Sequence, residues 1–155
     1  MEAPSNRCPE CRAKWETDTT CQDDFHQMLF WEAEKPSLGV VHHLMVLCYH
    51  LQHPSLYSPE GLNNAKTLLI DFVAHGLTPQ MVRKQNRDQV DSGKRQWTIT
   101  ARPGAEGAYT YPIIWTMTAQ DVVAGGMDHY IENVQDWAKS MLASLQATNN
   151  IVTTV

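Results

Sequence analysis

A chain of 155 residues that is 43% hydrophobic holds enough apolar material for one domain with a core, and 19% charged residues are too few for a disordered polymer. The net charge of −5, with no run of Lys and Arg, argues against a nucleic-acid binder, which needs a basic patch. The longest apolar run, residues 44–48, falls far short of the roughly 20 residues of a membrane-spanning helix, and the polar start of the chain offers no signal-peptide core.

These features lead to the expectation of a cytoplasmic protein outside the membrane, in a compartment where thiols stay reduced. Four cysteines in such a setting read as metal ligands or packing thiols ahead of disulfides.

Residues 1–19 form an arm carrying Cys8-Pro9-Glu10-Cys11. The Cys-x-x-Cys spacing lets a tight turn aim two thiolates at one tetrahedral ion. A redox role would require a strand before the motif and a helix opening on it, and nothing precedes it here. There is no second Cys-x-x-Cys, so two further ligands have to come from elsewhere. A helix is predicted over 20–34, with Thr20 and Asp23 in capping-box spacing and Phe25, Met28 and Leu29 on its buried side. Cys21 falls in its first turn, where free backbone N–H groups favour a thiolate, and is the third ligand candidate. The plainer alternative is a small buried residue at a helix end.

Pro36 breaks the chain after a tight connection, and a second helix is predicted over 38–53, ended by Pro54. It carries His42, His43, His50 and His53. His26 is a poor fourth ligand, because five helical residues turn it about 140° away from Cys21. His42 and His53 are about 16 Å apart along a helix axis, too far to share an ion. A short connection makes the two helices antiparallel, which sets Cys21 near position 51 and His42 at the far end. His50 and His53 therefore remain as candidates for the fourth ligand. Val40, Leu44, Leu47, Cys48 and Leu51 form one stripe of this helix; His42, Met45, Val46, Tyr49 and His53 form another. A helix apolar on both sides is central, which makes Cys48 a packing thiol and leaves His42 and Tyr49 either bonded within the core or lining a pocket.

Ser58-Pro59 starts a third helix that Gly76 stops, and Thr78-Pro79 starts a fourth, to about residue 89. Alternation at 97–101 and in part of 109–117 predicts a small β-hairpin. Thr118 and Asp121 cap a short helix ended by Gly125-Gly126. A last amphipathic helix over 128–146 buries Ile131, Val134, Ala138, Met141, Leu142 and Leu145, and carries His129 and Glu132 three apart, a spacing that serves either a metal site or a solvated helix start. The expected fold is mostly α with a small β-hairpin, a single-domain helical bundle over 1–147 whose N-terminal arm is tethered by zinc, followed by a frayed tail over 148–155.

Cys8-Pro9-Glu10-Cys11, Cys21, His42, Tyr49 and Gln52-His53-Pro54 together resemble the pattern of a family of small bacterial proteins of unknown function. The resemblance covers the first half of the chain. It implies that Cys8, Cys11, Cys21 and His53 belong together, and it implies no reaction; His53 is preferred because it also ends this motif, and His50, left open by the helix pairing, is the runner-up. Zn2+ is the expected cofactor, since three thiolates and an imidazole suit a closed structural site, with the domain binding a protein partner or small molecule. The alternative is a zinc-dependent or pocket-based hydrolase or transferase using His42 and Tyr49 as acid and base.

Overall fold

A computed structural model describes residues 7–14, 20–76, 81 and 106–151. These residues are mostly helical. The α-helices are α1 (Cys21–Glu34), α2 (His42–Leu51), α3 (Pro59–Ala74), α4 (Ala119–Ala124) and α5 (Tyr130–Ala147). Short 3-10 turns precede α2 (Pro36–Val41), follow it (Pro54–Leu56) and introduce α5 (Met127–His129). No helix among the described residues is long and apolar enough to cross a membrane.

Local chemistry sets the helix ends. Thr20 caps α1: its side chain accepts from the Asp23 N–H, while Asp23 accepts from the Thr20 N–H at 2.8 Å. Thr118 and Asp121 make the same box on α4. Ser58 accepts from the Gly61 N–H at 2.9 Å and Pro59 opens α3, which stops before Gly76, at φ 66°. The second helix is shorter than its sequence pattern. Residues 36–41 wind as a 3-10 turn, and α2 begins only at His42. Gly39 and the β-branched Val40 and Val41 are weak helix formers, and no side chain caps this start. Val40 consequently faces solvent, 55% exposed, outside the core stripe expected of it.

Helix α2 runs through the centre. Leu44, Met45, Leu47, Cys48, Tyr49 and Leu51 are all buried, so both of its stripes are largely covered from Leu44 onward, while His42 at its start is half-exposed. It packs against α3 and α5. From α5 come Tyr130, Val134, Trp137, Ala138, Met141 and Leu145, all essentially inaccessible. Helices α1 and α2 lie antiparallel: Glu32 meets His42, Phe25 stacks on Tyr49, and Cys21 closes on the group that holds His53.

The β-hairpin is not supported. Its first strand, 97–101, lies outside the described residues, as does the helix expected over 78–89 apart from Met81. Its second, 109–117, is described and forms no strand. The alternation is nevertheless real. Ile113, Trp115 and Met117 are half-buried against the core, while Ile114 and Thr116 are exposed. Period two follows from extended backbone with one face covered, whatever covers it. Here the cover is helical, and the strap is pinned by side chains: Gln52 Nε2 donates to the Met117 carbonyl at 2.7 Å, and the Tyr109 hydroxyl donates to the Leu51 carbonyl. Packing continues beyond α5, where Asn150 and Ile151 are buried. Asn150 pairs with the Tyr111 backbone, accepting at 3.1 Å and donating at 3.0 Å.

Candidate metal centre

The Cys8–Cys11 turn is closed by its own backbone. The Arg12 N–H donates to the Cys8 carbonyl at 3.0 Å, and the Cys8 N–H to the Ala13 carbonyl at 2.9 Å. An antiparallel bridge between Arg7 and Lys14 fastens the ends. Arg12 takes φ 67°, a left-handed conformation that lets the chain reverse directly after the second cysteine. The Cys11 N–H points at the Cys8 sulfur, 3.5 Å away. Both sulfurs thereby face one side of the turn.

Two other elements complete the group. Capping of α1 by Thr20 puts Cys21 at the first helical position, with its sulfur 3.4 Å from that of Cys11. His53 follows the last turn of α2. Its Nδ1–H donates to the Tyr49 carbonyl at 2.6 Å, which turns Nε2 toward Cys8 Sγ at 3.5 Å. The ligand atoms of Cys8, Cys11, Cys21 and His53 all lie within 4.8 Å of one another, and all four residues are buried. A Cys3His group of this kind could hold a metal ion. Tetrahedral bonds of about 2.3 Å place sulfurs roughly 3.8 Å apart, close to the spacings seen.

Crowding drives the protonation of these groups apart. Hydrogen bonding with Cys11, then Cys21, pulls the Cys8 thiol far below its ordinary value against the effect of burial. Hydrogen bonding with Cys21 and Cys8, and burial, push Cys11 far above it. Burial alone would lower His53, but bonds to Cys21, Cys8 and the Tyr49 carbonyl push it up to about 10. The group thus retains protons that a dication would displace, which is how thiolate and imidazole ligands couple metal binding to proton release.

The remaining candidates fall elsewhere. His50, one helical turn before His53, bonds the Val46 carbonyl at 2.8 Å and packs on Tyr57 and Phe25. Tyr49 is sandwiched, its ring 4.5 Å from Phe25 and 4.4 Å from His53, and burial pushes its hydroxyl up to about 12. It walls the cysteine group and stands two turns from His42. At that far end, His42 Nδ1 pairs with Glu32 at 2.6 Å, and Glu32 also accepts from the Tyr130 hydroxyl. Cys48 is fully buried in the core, where burial raises its thiol and makes it inert. His129 and Glu132 are both exposed. Among the described residues no second convergence of three His, Cys, Asp or Glu side chains occurs.

Sequence reasoning did not find two supporting contacts. Glu10 accepts from the Ser55 N–H at 3.0 Å, tying the cysteine turn to the loop after His53. The Glu32–Tyr130 bond joins α1 to α5 across 98 positions. The position of Glu10 between two cysteines was a usable signal for the first; nothing local marks the second. No curated protein and no solved structure matches the chain. Residues 6–146 match a family model of unknown function, and the chain belongs to that family, DUF5946.

Proposed function

We propose that Cys8, Cys11, Cys21 and His53 bind one zinc ion, that the ion is structural, and that the surrounding single domain, residues 1–147, binds a small ligand or protein partner in the cytoplasm. The observation that carries this is the burial of four ligand atoms from three separate segments within 4.8 Å of one another. Three thiolates and one imidazole match the donor preference of zinc. Residue exposures of 4% for Cys8, 2% for Cys11, 4% for Cys21 and 6% for His53 favour a closed site over one with an open position for water. The ion would supply a cross-link between the arm, α1 and the end of α2.

X-ray absorption on the zinc-loaded protein tests this. A shell of three sulfurs at about 2.3 Å and one nitrogen at about 2.0 Å is expected. A shell containing a water oxygen, or fewer than three sulfurs, would contradict the structural role.

An enzymatic reading draws on one observation, the pairing of His42 Nδ1 with the nearly buried carboxylate of Glu32. A carboxylate accepts, so Nδ1 donates, and Nε2 is left on a side chain that is 42% exposed. This is the geometry of an oriented general base. In that reading His42 acts without Tyr49, which stands against the cysteine group. A screen for hydrolase and transferase activity in which wild type and His42→Ala are indistinguishable would remove it.

A further inference from the structure

Glu10 contributes to a second feature, a cavity of about 310 Å³ that it lines together with Pro54, Tyr109, Tyr111, Ile113 and Trp115. Tyr109 and Trp115 stand 5.9 Å apart at 68°, forming an aromatic corner. The Tyr109 hydroxyl is engaged by the Leu51 carbonyl, so what remains of Tyr109 for a ligand is its ring. The Tyr111 backbone is clamped by Asn150, and the Glu10 carboxylate is steadied by the Ser55 N–H. The walls are therefore held in place before any ligand arrives. No Lys or Arg is among the lining residues.

This composition selects a class of ligand. An anion would meet the Glu10 carboxylate with no compensating cation. A neutral apolar molecule would desolvate that carboxylate without replacing its hydration. A compact, strongly hydrated ammonium would lose more water than the rings repay. An alkylated ammonium is weakly hydrated, offers methyl groups to aromatic faces, and pairs its charge with a carboxylate and the ring quadrupoles together. The cavity lies at the small end of the range for small-molecule sites, and the net charge of −5 favours cation approach.

We propose that this cavity binds a small alkylated ammonium ion of about the size of choline, with Glu10 pairing its charge and Tyr109 and Trp115 packing on its methyl groups. The proposal rests on the reading of the domain as a ligand binder and gives that reading a chemical class.

The test is calorimetric titration with choline and with 3,3-dimethylbutan-1-ol, its neutral isostere, on protein whose zinc content is measured in parallel. Choline should bind saturably and at least about tenfold more tightly than the isostere. Glu10→Gln keeps an acceptor for Ser55 but removes the charge, and it should weaken choline about tenfold when compared with wild type at equal zinc content. Trp115→Leu should do the same; where it fails to fold, Glu10→Gln carries the test. Equal affinity for the two probes, binding by neither, or choline affinity indifferent to Glu10→Gln would each overturn the proposal. Zinc content reports separately on the metal reading, so failure of one is distinguishable from failure of the other.

Discussion

Arg12 holds a non-glycine residue at φ 67° directly after the second cysteine of the turn. That conformation costs an L-residue about 1–2 kcal/mol and more for a β-branched one. Arg12→Gly is expected to leave the melting temperature unchanged or raise it, and Arg12→Val to lower stability by about 1–2 kcal/mol, as read by denaturant unfolding. Asp24 presents a different strain. It is buried in the first turns of α1, and burial, with Asp23 adding repulsion, pushes its carboxyl up to about 6. The folded protein thus takes up a proton there that the unfolded chain does not until near pH 4. Its contribution to stability rises as pH falls through 6, levels off below the unfolded value, and is unfavourable above 6. Asp24→Asn should therefore stabilise the protein at pH 7–8 by about 2 kcal/mol, with the gain shrinking toward pH 4, measured by denaturant titration across that range. At this scale the grouping of Cys8, Cys11 and Cys21 with a histidine from the end of α2 was legible in the sequence, because the Cys-x-x-Cys spacing and the antiparallel helix pair bring those side chains together. The choice between His50 and His53 was not settled by helical geometry alone, since both sit at the same end of α2. In the structure it is the bond from His53 Nδ1 to the Tyr49 carbonyl that aims Nε2 at the cysteines, while His50 bonds Val46 instead.

At the scale of elements, the caps were readable and the covering partners were not. Thr20 with Asp23, Ser58 with Pro59, and Thr118 with Asp121 act within four residues, so local sequence specifies them. The 3-10 turn over Pro36–Val41 and the strap over 106–118 depend on what lies across the fold. Alternation at 113–117 reads identically for a strand in a sheet and for extended chain laid on helices, and only the helical surface beneath decides between them. The strap makes a testable claim at Gly107. Its N–H donates to the Tyr57 carbonyl at 2.7 Å, and a Cβ there would meet the Pro54 and Tyr57 carbonyl oxygens at 3.1 and 3.2 Å. Backbone atoms yield little, so Gly107→Ala should cost about 1–3 kcal/mol in thermal or denaturant unfolding. Helix α5 makes a stronger one. Trp137 is fully buried at its centre, and Trp137→Ala should cost about 3–5 kcal/mol by the cavity it leaves. Its burial, like that of Tyr130, was not apparent from the aliphatic stripe of α5 alone.

At the scale of the whole molecule, the buried apolar side chains among the described residues of the arm are Cys8, Cys11 and Ala13, two of them cysteines. On the proposed zinc reading, a small segment of that kind holds its place by ligation more than by core packing, so removal of the ion should release it. Excess chelator is expected to lower the melting temperature and expose the arm to proteolysis, whereas the core formed by α2, α3 and α5 around Trp137 should stay folded longer under hydrogen exchange. Three thiolates and one particular imidazole are proposed to converge on a single cation. Elemental analysis of purified wild type, His53→Ala and His50→Ala tests this convergence most directly. About one zinc per chain in the wild type, retained in His50→Ala and lost in His53→Ala, is the predicted result. Substoichiometric metal in the wild type, or retention in His53→Ala with loss in His50→Ala, would contradict it.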